Sequence, residues 1–359
     1  MANIGLVVLI LVFQGGGITA YAEDSEAQVQ SENRTDIMET DGVLHTIPLD
    51  KIRYGGVPKD GIPSIDEPIF VNSTDADFVS GSEIVIGLTL GNETKAYPLF
   101  ILVWHEIVND NINGTSVAVT YCPLCYTSQV FERVVDEKDV EFGTTGKLYQ
   151  SNLLMYDRLT DSYWSQALGM AVKGPQSGQH LKLVPFDLMT WEDWQTLYPD
   201  TVILGTDTGH IRAYSVDPYG SYYTSPGIWF PIDHHDPRMQ PKEIVVGLGF
   251  NGTFKAYRQA DLESEVVIND SIDSRDILLL SMFEENARVF DRTYGNNTLE
   301  FTLDSENITD TNTGSVWNYD GKAISGNLTG TQLVRLPIEP GFWFSWSTFH
   351  PSTLVYGDP

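Results

Sequence analysis

The stretch EIVIGL at residues 83–88 decides the fold, because it returns almost unchanged as EIVVGL at residues 243–248. Three further blocks recur in the same order and at a similar spacing. They are KAY at 95–97 and 255–257, VND at 108–110 with IND at 268–270, and VFER at 130–133 with VFDR at 289–292. Self-similarity at a fixed spacing indicates a repeated structural unit. We therefore expect an internal duplication in which both copies share one fold.

Local patterns within the copies predict mainly antiparallel strands with short helices. The run 85–97, which has a Gly-Asn turn between two stretches of strand-forming residues, predicts a β-hairpin. The apolar residues 99–108, which follow a proline, predict a helix. Thr190 and Asp193 are typical of a capping box that opens another helix. The predicted fold class is therefore α+β, mainly antiparallel β with short helices and internally duplicated.

Composition divides the chain into five parts. An apolar run and the cleavage pattern AYA at its end are typical of a secretory signal, and an acidic, aperiodic stretch follows them. The predicted parts are a signal peptide at 1–22, a polar N-terminal segment at 23–60, a first repeat with the candidate site at 61–204, a connector rich in Gly, Pro and Tyr at 205–240, and a second, degenerate repeat at 241–359.

Charge and targeting signals narrow the location and the partners. The formal net charge of −28 opposes binding to nucleic acid, and no nucleotide cofactor is indicated. No apolar run is long enough to span a bilayer, so we expect no integral membrane segment after signal cleavage and a secreted or cell-surface location. Glycan or surface-layer contacts are the expected partners. Nine Asn-x-Ser/Thr sequons predict an exported glycoprotein: Asn33, Asn72, Asn92, Asn113, Asn251, Asn269, Asn296, Asn307 and Asn327.

The two copies differ at the only two cysteines of the chain. Cys122 and Cys125 lie in the first copy, and the alignment of the copies puts Ser281 and Glu284 in their places in the second. What both copies keep is expected to serve the fold, whereas what only one copy keeps is expected to serve the chemistry. We call residues 122–125 the CPLC turn.

A histidine and a glutamate near the CPLC turn are also confined to the first copy. His105 aligns with Glu265, and Glu106 aligns with Val266. Thiolates select copper, zinc or iron over magnesium and calcium, and imidazole is a compatible third ligand. The leading prediction is therefore a soft-metal site, copper first and zinc second, that uses His105, Cys122 and Cys125 for metal handling or redox chemistry.

Two other interpretations of the same residues stay open. A Cys-x-x-Cys pair is also typical of thiol–disulfide enzymes, in which Cys122 and Cys125 would be catalytic and Glu106 would carry a proton. The third interpretation is a structural disulfide in a non-catalytic surface binding module, because exported proteins reside in oxidising surroundings.

A polar and aromatic tract follows the CPLC turn. Hydrogen-bonding side chains without clear counterparts in the second copy cluster there, and such a cluster beside a thiol site is what a polar ligand pocket needs. The candidate ligand-binding residues are Lys147, Ser151, Asn152, Arg158 and Gln166. The competing interpretation is that these groups satisfy each other beneath a sheet.

Several blocks of the first copy resemble a known family. The blocks are AYP at 96–98, WHEIVND at 104–110, VTYCPLC at 119–125, GKLY at 146–149, NLLMYD at 152–157 and WSQ at 164–166. Together they resemble the signature of the domain of unknown function 3179 family, which consists of exported bacterial and archaeal proteins. The resemblance runs from about residue 55 to about residue 260 and implies a site at the CPLC turn without naming a reaction. The family pattern usually has glycine after the second cysteine, where this chain has Tyr126.

Overall fold

The computed structural model describes residues 36–283, 285–305 and 307–358. The predicted signal peptide at 1–22, the beginning of the polar N-terminal segment and the sequon at Asn33 lie outside these residues. Among the described residues, no helix combines the length and the apolar character needed to cross a membrane.

The polar N-terminal segment and the residues after it contribute short strands. These are β1 (Met38–Thr40), β2 (Val43–His45), β3 (Arg53–Tyr54) and β4 (Phe70–Asn72). Strand β2 pairs with a strand of the first repeat through His45 and Lys173, and Arg53 of β3 pairs with Leu148. From residue 38 onward, this segment is therefore part of the sheet structure.

We call residues 84–204 the first half. It contains β5 (Ile84–Leu90), β6 (Glu93–Pro98), α1 (Leu99–Leu102), β7 (Ile107–Ile112), β8 (Thr115–Cys122), β9 (Thr127–Glu132), β10 (Val134–Val135), β11 (Lys138–Asp139), β12 (Phe142–Tyr149), β13 (Asn152–Asp157), β14 (Tyr163–Ser165), β15 (Met170–Lys173), β16 (Asp187–Thr190), α2 (Trp191–Leu197) and β17 (Val202–Leu204).

We call residues 244–355 the second half. It contains β18 (Ile244–Phe250), β19 (Thr253–Arg258), α3 (Gln259–Ser264), β20 (Val267–Ile272), β21 (Arg275–Leu280), β22 (Arg288–Asp291), β23 (Thr293–Tyr294), β24 (Asn297–Thr298), β25 (Phe301–Asp304), β26 (Asn307–Asp310), β27 (Val316–Trp317), β28 (Ala323–Ser325), β29 (Val334–Leu336), β30 (Glu339–Phe342), α4 (Trp343–Phe349) and β31 (Leu354–Val355).

The strands form several small sheets in a propeller-like ring. One sheet has the order β16-β5-β6-β17-β4, and a sheet of the second half has the order β30-β18-β19-β31. In both, the last helix of the half leads into a strand that runs parallel to its neighbour, β17 beside β6 and β31 beside β19. The other paired strands among the described residues are antiparallel, so the expectation of mainly antiparallel strands with short helices is confirmed.

Two local predictions show how tertiary contacts limit sequence patterns. The capping box is confirmed, because the backbone N–H of Asp193 donates to Thr190 Oγ1 over 3.2 Å at the start of α2. The prediction of a helix over 99–108 is wrong beyond Leu102, where α1 ends. Ile107–Ile112 form β7 instead, because each residue of this strand pairs with a residue of β8.

The glycine of the repeated EIVIGL block is kept because a tryptophan packs on its backbone. A Cβ atom on Gly87 would lie 2.3 Å from the ring of Trp194, and one on Gly247 would lie 2.2 Å from the ring of Trp346. Any side chain at either position would displace an indole from the core. This contact fixes α2 against β5 and α4 against β18.

Two of the other repeated blocks, KAY and VND or IND, contact each other within each half. In the first half, Lys95 lies 2.9 Å from an oxygen of Asp110, and the hydroxyl of Tyr97 donates to the same carboxylate over 2.6 Å. In the second half, Lys255 and Tyr257 contact Asp270 in the same way. The KAY blocks and the VND and IND blocks therefore encode one contact in each half.

One apolar core joins the two halves. Its largest cluster combines buried residues of β5 and β8, such as Ile86 and Val119, with residues of β18 and β21, such as Leu248 and Leu279. Because neither half encloses this cluster alone, the site in the first half is supported by side chains from the second half.

Candidate functional site

The CPLC turn connects β8 to β9. Cys122 ends β8 and is paired with Thr127 across the hairpin, and the N–H of Cys125 donates to the carbonyl of Cys122 over 3.1 Å. The tight turn holds the two cysteine side chains beside each other, close enough for Cys125 to raise the pKa of Cys122. The strand pairing on both sides makes this proximity a property of the backbone.

Tyr126 occupies a backbone conformation that favours glycine. Its φ angle is +55°, in the left-handed region where a side chain is strained. The strain is offset by contacts with the second half, since the ring stacks on Phe342 at 5.4 Å and its hydroxyl donates to Glu285 over 3.0 Å. The residue that replaces the glycine of the family pattern therefore anchors the CPLC turn to the second half.

Both cysteines are free, buried thiols, with exposed fractions of 1% for Cys122 and 0% for Cys125. Burial raises the pKa of Cys122 well above its usual range, and the neighbouring Cys125 raises it further. The thiol of Cys125 donates to the carbonyl of Ser151 over 3.1 Å. Cys122 therefore sits in an environment that favours the neutral thiol over thiolate.

Glu106 is a buried acidic side chain that lies beside Cys122. It is buried at a left-handed φ of +58°, and its carbonyl accepts a hydrogen bond from the N–H of Tyr121, the residue before Cys122. Burial raises the pKa of Glu106 well above its usual range, and the sulfur of Cys122 raises it further. A buried carboxyl group with a raised pKa therefore lies close to Cys122.

His105 belongs to a separate hydrogen-bonded group. Its Nδ1 lies 2.8 Å from the carbonyl of Pro63, and its Nε2 lies 2.7 Å from the hydroxyl of Tyr214, which in turn lies 2.6 Å from Thr208 Oγ1. Burial lowers the pKa of His105 to about 4, so the ring is neutral at physiological pH. A metal ion would have to replace one of these two ring contacts.

The proposed three-residue ligand set remains a prediction. In the part of the chain that the structure describes, no group of three or more His, Cys, Asp or Glu side chains is placed to hold one metal ion. The geometry brings Cys122, Cys125 and Glu106 together and gives His105 different partners.

Three tyrosines of the connector cover the thiols, and the sequence interpretation missed them. The hydroxyl of Tyr222 donates to the carbonyl of Leu124 over 2.8 Å, and Tyr223 lies close enough to Tyr121 to raise its pKa. Burial raises the pKa of Tyr219, and the charges of Glu106 and then Cys122 raise it further. The tyrosine content of residues 205–240 was the available signal, but it did not reveal which surface these side chains cover.

Two of the five predicted ligand-binding residues form a buried network with the hairpin. Asn152 Nδ2 donates to Gln166 Oε1 over 2.8 Å and to Thr127 Oγ1 over 3.0 Å. Gln166 Nε2 donates to Thr120 Oγ1 over 3.2 Å and to the carbonyl of Thr127 over 3.1 Å. These amides satisfy each other and hold the strands that flank the CPLC turn.

The other three predicted ligand-binding residues lie in different surroundings. Ser151 is buried beside Cys125, and its hydroxyl oxygen has no hydrogen-bond partner among the described residues. Arg158 is exposed and pairs with Asp66 over 2.7 Å. Lys147 is half-buried on β12, where it pairs with Tyr54 of β3. Only Ser151 of these three therefore adjoins the thiols directly.

Comparison with known proteins gives one match. A family model described as protein of unknown function (DUF3179) matches residues 59–353. No curated protein and no solved structure matches the chain. The match extends beyond the first half and includes almost all of the second.

Proposed function

We propose that this chain, which belongs to the DUF3179 family of proteins of unknown function, carries a two-electron dithiol centre formed by Cys122 and Cys125. The observation that carries the proposal is that two adjacent buried thiols lie beside the buried carboxyl group of Glu106, whose pKa is raised. The disulfide product carries no charge, so it suits this apolar site. The attacking sulfur loses its proton during the exchange step, because the thiolate is the nucleophile.

The proposed reaction is exchange with a disulfide of low molecular weight. One cysteine sulfur attacks the acceptor, whose S–S bond breaks and releases one thiol. The second cysteine attacks the mixed disulfide, forms the Cys122–Cys125 bond and releases the second thiol. The two protons of the cysteines end on the two released thiols, and Glu106 relays one of them because its carboxyl group lies beside Cys122.

The buried position of the thiols supports a small acceptor. Tyr222 closes the turn through its hydrogen bond to Leu124, and both sulfurs are almost fully covered. A folded protein substrate has no direct approach to either sulfur without displacement of the connector. Opening of the connector near Tyr219, Tyr222 and Tyr223 is therefore part of the proposed cycle.

The experiment that tests the proposal is equilibration of the full chain with mixtures of reduced and oxidised glutathione. After quenching with an alkylating reagent, mass spectrometry counts the free thiols. We expect both cysteines to convert together. We also expect the variant E106Q to react more slowly, with a different pH profile, because it cannot relay a proton. Folded protein that never forms the Cys122–Cys125 bond would overturn the proposal, and E106Q with unchanged rates at every pH would remove Glu106 from it.

The second candidate is binding of Cu(I) by the same two sulfurs, because the CPLC turn already places them side by side. Copper is favoured over zinc, since zinc sites normally have four ligands. Two bound thiolates with one Cu(I) leave a net negative charge in an apolar site, which is why this candidate is second. Titration of the reduced protein with Cu(I) against a chromophoric chelator tests it. One ion per chain, lost in the double variant C122S/C125S, is expected, and H105Q should retain it if the two sulfurs suffice.

We also propose an exported glycoprotein built by internal duplication. The recurring element order and the paired contacts at Gly87 and Gly247 support the duplication. Seven sequons support glycosylation because they are exposed: Asn72, Asn92, Asn113, Asn251, Asn296, Asn307 and Asn327. Asn269 is half-buried, and its amide is bonded to the backbone of Phe301 on both sides. Peptide mapping of protein from the native host tests signal cleavage and site occupancy together, and Asn269 should be unmodified.

A further inference from the structure

A cavity of about 650 Å³ lies beside the CPLC turn, between the connector and the loop that contains residues 55–62. Its size is within the range of small-molecule sites in proteins. It opens to solvent near Trp229, which is 55% exposed, and Ile211, which is 98% exposed. A ligand of low molecular weight can therefore enter without displacement of the core.

Aromatic rings form much of the cavity wall. Tyr219 and Trp229 stack on each other at 5.8 Å with an angle of 19° between their planes. The indole N–H of Trp104 donates to the carbonyl of Val216 over 3.2 Å, which fixes this ring at another part of the wall. Fixed, parallel aromatic surfaces favour a flat apolar ligand, because stacking adds to the burial of apolar area.

Among the described residues that line the cavity, Arg212 is the only charged one. It is half-buried, and its guanidinium donates to the carbonyl of Ile211 over 3.1 Å. None of the ion pairs formed by the described residues includes Arg212, although the chain has a net charge of −28. A guanidinium without an ion-pair partner, beside aromatic walls, can bind one carboxylate through two parallel hydrogen bonds.

From these three observations we infer that the cavity is a binding site for a small planar aromatic carboxylate. The ring of the ligand lies against Trp229 and Tyr219, and its carboxylate pairs with Arg212. The site adjoins the thiol centre, because Leu124 lines the cavity from within the CPLC turn and Tyr219 lines it while also interacting with Glu106. The inference does not depend on the proposed reaction of the cysteines.

The test is a titration of the full chain with 2-naphthoate, in which isothermal calorimetry measures the binding. We expect one saturable site per chain and binding at least tenfold weaker for R212Q. The matched control is R275Q, because Arg275 has the same charge, pairs with Asp291 and does not line the cavity. This control should bind as tightly as the unmodified chain.

Two further titrations separate charge from shape and this site from the thiols. The neutral analogue 2-acetylnaphthalene should bind at least tenfold more weakly than 2-naphthoate. The double variant C122S/C125S should bind 2-naphthoate with unchanged affinity, so a failure of the thiol chemistry leaves the result intact. The absence of saturable binding, or equal affinities for R212Q and R275Q, would overturn the inference.

Discussion

Two acids, the buried Asp187 and the half-buried Glu339, hold the halves together, one ionised and the other largely neutral. Asp187, the first residue of β16, forms a two-point ion pair with Arg288 of β22 at 2.7 and 2.8 Å. Glu339, the first residue of β30, accepts a hydrogen bond from the amide of Gln129 on β9 over 3.0 Å. Each contact joins a strand of one half to a strand of the other, but only the first contains a cation.

The partner decides whether each acid is ionised. Although burial alone would raise the pKa of Asp187, Arg335 and Arg288 lower it to about 2. Burial raises the pKa of Glu339 to about 8, and the amide of Gln129 opposes this rise only in part. At neutral pH the first contact is therefore ionic, and the second is largely a neutral acid beside an amide.

The neutral contact lies on the side of the molecule that carries the thiols. The N–H of Phe342, three residues after Glu339, donates to the carbonyl of Cys125 over 2.8 Å. Glu339 and Ser345 line a pocket of about 10 Å³, enough for one water molecule. The comparison teaches that one contact between the halves relies on a fixed ion pair, whereas the contact beside the CPLC turn is largely uncharged.

The largest expected effect comes from removal of the ionic contact. D187N leaves Arg288, which is 1% exposed, without its buried carboxylate partner. We expect a loss of about 3–5 kcal/mol of unfolding free energy, because the buried Arg288 then keeps only the exposed carboxylate of Asp320 as an ion-pair partner. Chemical denaturation at pH 7, followed by tryptophan fluorescence, measures it.

The matched control is E339Q, which replaces the acid of the neutral contact. At pH 4.5 its unfolding free energy should stay within about 1 kcal/mol of that of the unmodified chain, because the acid is then largely protonated and one neutral hydrogen-bonding group replaces another. Equal losses for D187N and E339Q would show that the two contacts do not differ in the way described.

The second expected effect concerns pH. The pKa of Glu339 is raised from an unfolded value near 4.5 to about 8, so the folded chain holds a proton that the unfolded chain has lost. This stabilising contribution is complete below pH 4.5 and is lost as the pH rises through 8. E339Q should therefore gain about 1–3 kcal/mol relative to the unmodified chain between pH 5 and pH 9.

Denaturation midpoints at several pH values measure this gain. His350 lines the same pocket, but burial lowers its pKa to about 3, so it stays neutral over this range. Asp187 gives the opposite case, since its lowered pKa contributes stability that is lost only as the pH falls from 3.8 towards 2. A flat difference between E339Q and the unmodified chain from pH 5 to 9 would contradict the raised pKa.

The smallest expected difference concerns a contact that both halves keep. Asp157 accepts a hydrogen bond from the indole N–H of Trp164 over 2.9 Å, and Asp310 accepts one from Trp317 over the same distance. D157N and D310N should each lose about 1–3 kcal/mol through weakened buried hydrogen bonds. The two losses should agree within about 0.5 kcal/mol, as measured by denaturation.

This third comparison tests the idea that shared residues serve the fold. If one of the two variants loses no stability while the other loses much, the two contacts have diverged in role. Free-thiol counts of D157N and D310N should also equal that of the unmodified chain, because neither residue contacts Cys122 or Cys125 in the structure.

Much of the local structure was predictable because short-range patterns control it. The hairpin of β5 and β6 follows from its alternating residues and Gly-Asn turn, and the start of α2 follows from Thr190 and Asp193. The position of the CPLC turn at the end of a strand was also predictable. The end of α1 was not, because the pairing of Ile107 with Thr120 decides it and involves a strand farther along the chain.

The candidate site was predictable in location but not in composition. The absence of cysteines from the second half directs attention to the CPLC turn, and the functional role of that turn stays a prediction. No local pattern indicated that Glu106 would lie beside Cys122 while its neighbour His105 bonded to Tyr214. No pattern indicated that Asn152 would be used to hold the hairpin.

The sequence by itself determined the repeated blocks, the strand-rich architecture and the placement of two cysteines in one turn, because these depend on residues near each other along the chain. Only the tertiary structure decided that the thiols are buried, that tyrosines such as Tyr222 cover them and that Glu339 rather than an ion pair supports their turn. Burial and the partner of a charge depend on residues that can lie far apart along the chain, such as Gln129 and Glu339. The pKa values of the site follow from those contacts.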